Sequence, residues 1–268
     1  VDKTIIKLIL KYSAPLVPNA LMWWIMSAGD KYIINYYLGD DANGLYSLAL
    51  KIPQIINMVY ALFIQAWQMS AIEVNQKNDK ASFYRNVFNV TSFVMVLLTA
   101  GIIMLIKPLY TIVMSTSFEE AWMYVPLLSV ATIISCYASF FSVVYTVGTK
   151  TRKVFTTTAL GAVTNLAFNF ALVQLFGMQG IATGTCLGYL AVLLVRSRDM
   201  KKEMGITIYF ERNIVSFVFL LAQAAILILV GGVYAYGFSV LSIIVILYLY
   251  RNEMKQVIQV FKEKFRRR

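Results

Sequence analysis

The chain has 268 residues, 59% of them hydrophobic and only 14% charged, with a mean hydropathy of +0.69. Its apolar residues form long blocks, the pattern of a polytopic membrane protein and not of a soluble domain. The net charge of +11 then reads as a topology signal and contact with anionic membrane lipid, with no nucleic acid as partner, and the lack of any His excludes a His metal site or a His general base.

Cys136 and Cys186 both lie inside apolar runs without CxxC spacing, so neither a disulfide nor a metal site is expected, and no cofactor motif is present. The chain opens on Val1 with no signal-peptide pattern, and a fragment lacking its N-terminal part is expected. Eight blocks have the length to cross a hydrocarbon core as helices, at about 12–38, 44–72, 86–114, 122–147, 154–176, 179–196, 213–232 and 234–250. With this count one side receives Lys3, Lys7, Lys11, Lys77, Lys80 and Arg85, then Lys150, Arg152, Lys153, Arg196, Arg198, Lys201, Lys202, Arg212 and the basic tail. The other side receives Asp40, Asp41, Glu119 and Glu120, with no Lys or Arg in its loops. That partition predicts both termini in the cytoplasm. Three units are expected: a six-helix lobe over 1–202, two further transmembrane helices over 203–250, and a basic tail over 251–268. The tail reads either as an amphipathic helix on the inner leaflet or as a solvated orientation signal.

The first two blocks form a hairpin around the acidic turn at 39–44, and they carry Asp30, Lys31 and Lys51 at membrane depth. An unpaired charge at the bilayer centre costs roughly 2.5 to 3.5 kcal/mol on insertion scales, so each needs a partner or a wet cavity. Asn19, Trp23, Ser27 and Asp30 share one helical face, with Lys31 about 100° away. Lys31 and Lys51 each lie about seven residues, roughly 10 Å, from the outer end of the hairpin. Asp30 and Lys51 are therefore placed to meet as a structural ion pair, leaving Lys31 for an anion; the other reading makes Asp30 a coupling group for a proton or Na+.

Lys51, Gln54, Met58, Gln65 and Gln68 continue a polar face on the second block. Such a stripe serves either as glue between helices or as a row of amides for a hydroxyl-rich ligand such as a sugar. Glu73 reads as a terminal ion pair with Lys77, and Lys107 as a residue snorkelling to the headgroups. Ser129, Thr132, Cys136 and Ser139 read as a small-residue packing face. Asn165 and Asn169 at i, i+4 join the substrate-binding candidates, and Gly180, Gly184 and Gly188 form two GxxxG steps for close helix packing.

Several stretches over roughly the first 190 residues resemble the C-terminal half of bacterial polysaccharide flippases. These are the O-antigen or repeat-unit translocases of the superfamily that also holds multidrug and lipid II exporters. The matching stretches are PLVPNALMWWIMSAGDKYIINYYLG, GLYSLALKIPQI, FIQAWQMSAIE, FEEAWMYVPLLSVATI and TNLAFNFALVQLFGMQGIATGTCLGYL. The resemblance implies two six-helix lobes facing across a cavity, then two more helices; this chain would be the second lobe plus that pair, with the N-terminal lobe missing. It implies that Asp30, Lys31 and Lys51 project toward a positively charged cavity that takes a polyprenyl diphosphate.

The expected function is flipping of lipid-linked oligosaccharide across a bacterial inner membrane by alternating access, for surface polysaccharide such as lipopolysaccharide O-antigen, with no enzymatic step. Lys31 and Lys51 would neutralise phosphate, and Gln54, Gln65 and Gln68 would bind sugar hydroxyls. The alternatives are a multidrug or other lipid exporter of the same superfamily, a glycosyltransferase, polymerase or ligase, and a non-transporting membrane subunit. Short outer loops without Lys, Arg or His argue against the enzymes.

Overall fold

The computed structural model describes residues 3–74, 80–113, 116–205, 208 and 210–266. Its elements are α1 (Lys3–Ser13), α2 (Leu16–Leu38), α3 (Asp40–Ala49), α4 (Pro53–Val74), α5 (Lys80–Val113), a 3₁₀ segment (Thr116–Met123) and α6 (Val125–Val147). There follow α7 (Thr151–Met204), α8 (Glu211–Leu229), α9 (Gly232–Leu249) and α10 (Arg251–Arg266). Seven stretches of the described residues are long and apolar enough to cross a membrane. One of them is in α7, whose 54 residues would reach about 80 Å if straight, against a hydrocarbon core of about 30 Å. Gly177 breaks it, with φ 55° and ψ −134°, a conformation open to glycine and strained for other residues. The chain folds back there, so the described residues offer eight candidate crossings, and the protein is an all-α polytopic membrane protein.

The two arms of α7 press together along the glycine steps. A Cβ on Gly180 would run into the Leu172 backbone, one on Gly184 into the Asn169 side chain, and one on Gly188 would lie 2.6 Å from Asn165 Cβ and 3.0 Å from Gly161 O. Side chains are absent where the backbones must touch, so the arms approach as a small-residue seam allows. α2 packs on this pair, and α6 packs between α7 and α4, with α5 and α8 also against it. Most of α6 is therefore buried, including the Ser129, Thr132 and Cys136 face. The core thickens at one end into an aromatic cluster in which Trp67 stacks on Phe140 at 4.5 Å and Phe88 meets Tyr137 at 4.9 Å. α8 and α9 pair with each other and lean on α5.

Three expectations change. The second limb of the hairpin is not one helix over 44–72 but α3 and α4, with a break at 50–52. Pro53 has no N–H to continue the ladder, and its ring opposes the preceding turn. The acidic turn shrinks to Gly39, at φ 86°, because Asp40 and Asp41 already start α3, where carboxylates suit the positive end of the helix. Asn35 Nδ2 closes this corner by donating to Asp40 Oδ1 at 2.7 Å.

Arg196, expected in a polar connection, lies fully buried inside the second arm of α7, which runs on to Met204. Its guanidinium donates to Ala138 O (2.6 Å), Val154 O (3.2 Å), Thr157 Oγ1 (2.9 Å) and Thr158 Oγ1 (2.8 Å), tying α6 and both arms of α7 together. The tail is helical in α10, and Glu253 pairs with Arg212 at 2.8 Å. The expected Glu73–Lys77 pair falls partly outside the described residues, as do the Glu119 side chain and the side chains from 264 onward.

Candidate functional site

Asp30 is 4% exposed, and the helix breaks bring its partners to one depth. It lies eight residues before the end of α2, Asn169 eight before Gly177 and Thr185 eight after, so each is roughly 12 Å below the same end of the bundle. Asn169 Nδ2 donates to Asp30 Oδ1 at 2.6 Å and Asn165 Nδ2 to the same oxygen at 3.4 Å. Thr185 Oγ1 and Tyr46 OH donate to Oδ2 at 2.8 and 3.2 Å. Asn165 also donates to Thr185 Oγ1 at 3.1 Å.

Thus a buried carboxylate is answered by four neutral donors from α3 and both arms of α7. The expected Asp30–Lys51 ion pair is not formed. Tyr46 takes that position, and five residues of helix, a rotation of about 140°, would carry Lys51 away from it even without the break. Lys51 instead stands exposed between α3 and α4.

Asn165 and Asn169 are both fully buried, and their Oδ1 atoms have no hydrogen-bond partner among the described residues. The choice of O and N in an amide follows from its hydrogen bonds. Turned over, the two amides would join Asp30 and Thr185 as a cluster of oxygen donors, which is the chemistry that hard cations select. As oriented, they hold Asp30 as a hydrogen-bonded carboxylate. The same four side chains can thus hold either a small cation or none.

Beside the cage lies a cavity of about 410 Å³, within the size range of small-molecule sites. Asp30 and Thr185 form part of its wall, and Lys31, Gln54, Asn57 and Ser135 add a cation and further polar groups. Trp24 and Tyr189 give it aromatic faces, and Trp23 is the residue behind, with its ring 5.6 Å from Tyr189. Of the residues singled out in the sequence, Asp30, Lys31 and Gln54 meet here, and Asn165 and Asn169 stand behind Asp30. Gln65 and Gln68 do not line this cavity; they lie further along α4 on its exposed side, flanking the buried Trp67. Sequence reasoning missed Tyr46, Thr185, Trp24 and Asn57. Thr185 had one available signal, since it directly follows Gly184 in the seam that faces Asn165 and Asn169.

Residues 1–123 match the family model described as polysaccharide biosynthesis protein. A solved structure described as the outward-facing conformation of a multidrug resistance MATE family transporter of the MOP superfamily has the same fold. Its TM-score is 0.59 at 14% identity, over 93% of this chain and 67% of that one. The family match spans fewer than half of the residues, and the likeness to the solved transporter is one of fold. No curated protein matches the sequence significantly. An open polar cavity beside a caged carboxylate is the part of the described bundle with the space and the polar groups to take a ligand.

Proposed function

We propose that this lobe flips polyprenyl-diphosphate-linked oligosaccharide from the cytoplasmic to the outer leaflet of a bacterial cell membrane, by alternating access against a second lobe. The observation that carries this reading is the convergence of Lys31, Gln54 and the Asp30 cage on one cavity in a chain whose residues 1–123 match the polysaccharide biosynthesis model. Lys31 neutralises the diphosphate, and Gln54 with Asn57 takes sugar hydroxyls against the Trp24 ring. Lys51, Gln65 and Gln68, exposed beyond the cavity, meet the substrate as it moves. Asn165 and Asn169 act indirectly, by holding Asp30.

An anion leaving a negative cytoplasm gains about 2.3 kcal/mol per charge for each 100 mV. Asp30 supplies a second driving force by taking up a proton or Na+ within its cage, so that ion release and lobe movement are linked. The working unit is the lobe of 1–202, with both termini cytoplasmic and the 203–250 helices as an addition to it.

Flipping of a fluorescent lipid-linked oligosaccharide in proteoliposomes tests the site. Lys31→Ala is expected to lower the rate at least tenfold and Lys51→Ala by less, and unchanged flipping in both variants sinks the anion role. Asp30→Asn is expected to abolish acceleration by an imposed Na+ or proton gradient while potential-driven flipping persists. A drug exporter is the second reading, favoured by the function named for the structural neighbour. Competition by organic cations, with none by lipid diphosphates, would establish it instead.

A further inference from the structure

Of the four donors around Asp30, three stand on α7 and Tyr46 stands on α3. α3 has ten residues, and the helical ladder is interrupted at both of its ends. Gly39 turns with φ 86° and ψ 179°, a conformation that favours glycine, and at 50–52 the ladder gives way ahead of Pro53, which has no N–H to offer. Breaks of this kind let a segment turn as a unit, because a few residues absorb the change in backbone angle.

Side chains fasten α3 along its length. The Asn35–Asp40 bond closes its first turn, and Tyr110 OH donates from α5 to Leu48 O at 3.2 Å near its last. Between them Tyr46, itself fully buried, donates its hydroxyl to Asp30 Oδ2 at 3.2 Å. This middle fastening has a buried carboxylate as its acceptor. A hydrogen bond to an ionised acceptor is roughly twice as strong as one between neutral groups, so a cation that takes up the charge of Asp30 weakens this hold and leaves the other two intact.

What α3 leads into gives that weakening a consequence. Leu50, Pro53 and Gln54 line the same cavity that Asp30 and Lys31 line from α2, and the exposed Lys51 lies among them. Leu50 is one helical turn from Tyr46, and its N–H donates to Tyr46 O at 3.0 Å. A displacement of Tyr46 is therefore carried through one hydrogen-bonded turn into the cavity wall.

We propose that Tyr46 is a positioning residue that couples Asp30 to the cavity wall. The ionised carboxylate holds α3 in place, and a cation taken up by Asp30 releases it, moving Leu50, Lys51 and Gln54 relative to Lys31. This rests on the reading of Asp30 as the coupling group and adds the route by which its loading reaches the ligand.

Double electron–electron resonance on the whole purified chain, with Cys136 and Cys186 replaced by Ala, tests the link. Nitroxides are placed at Gly44→Cys in α3, where a Cβ meets open space, and at Val163→Cys in α7, which is 67% exposed. No substrate is added, so the distance does not depend on what is flipped. Asp30→Asn removes the charge and Tyr46→Phe removes the hydroxyl; each is expected to change the distance by about 2 Å or more, in the same sense. Adding Asp30→Asn to Tyr46→Phe is expected to change it no further, since both break one link. In a Tyr110→Phe background, which loses the fastening not tied to Asp30, the response to Asp30→Asn is expected to remain. A wild-type distance in either single variant overturns the proposal, so one that folds is enough. Additive shifts overturn it in favour of a route that bypasses Tyr46, and loss of the response in Tyr110→Phe overturns it in favour of a general loosening of α3. Failure of the coupling reading itself shows elsewhere, as gradient-driven flipping that persists in Asp30→Asn.

Discussion

Arg196 and Asp30 are two buried charges satisfied in the same way, by neutral hydrogen-bond partners and not by each other's kind. Arg196 has two carbonyls and two threonine hydroxyls around its planar fork; Asp30 has two amides and two hydroxyls. A lysine cannot reproduce the fork, so Arg196→Lys is expected to destabilise the protein by about 1–3 kcal/mol, read as a lowered Tm in detergent. A double-mutant cycle with Thr157→Val is expected to show coupling between the two sites, and additive effects would mean that the bond contributes little. Thr185→Val leaves Asp30 one donor short and is expected to impair gradient-driven transport more than folding. Neither cage was legible from residue type. Arg196 reads in sequence like any other cation near the end of an apolar block.

The bends of the elements set which residues meet. Pro53 and Gly177 each interrupt a long apolar run, and both are visible in the sequence, yet only the glycine break was placed where it occurs. The second limb read as continuous because its hydrophobicity does not dip at Leu50-Lys51-Ile52 as a loop would. The seam between the arms of α7 was legible, because small residues four apart have one common use between membrane helices. Its consequence can be measured. Gly184→Ala places a Cβ into Asn169, whose backbone nitrogen would lie 2.9 Å away, and is expected to cost about 1–3 kcal/mol and to displace the Asp30 cage. Gly101→Ala in α5 has open space around it and is expected to be neutral or stabilising by about 0.5–1 kcal/mol. Similar Tm changes in the two would remove the argument for close packing.

Across the whole molecule, the basic residues gather at the end that holds the α6–α7 corner, the end of α7 and α10. The opposite end holds Asp40, Asp41 and the turn at Gly177. Lys107 belongs to this opposite end, and its ammonium rests over the Trp122 ring at 5.1 Å. In a background with Cys136 and Cys186 replaced by Ala, Asp41→Cys and Lys202→Cys are expected to react with a membrane-impermeant maleimide from opposite sides. Lys202→Cys should label only from the cytoplasm, and labelling of both from one side would reject the orientation.

The number of crossings, the partition of charge and the glycine seam follow from the sequence by itself. Each depends on composition and on short-range periodicity, which the bilayer thickness converts directly into helices. What answers Asp30 was decided by tertiary structure alone. Its donors come from as near as 16 residues and as far as 155, and their meeting depends on where α2, the α3–α4 limb and α7 break and how far each is rotated. A helical pattern gives the face of a residue but not the neighbour that the face will meet. For that reason Lys51 seemed the partner of Asp30, and Tyr46, Asn165, Asn169 and Thr185 are.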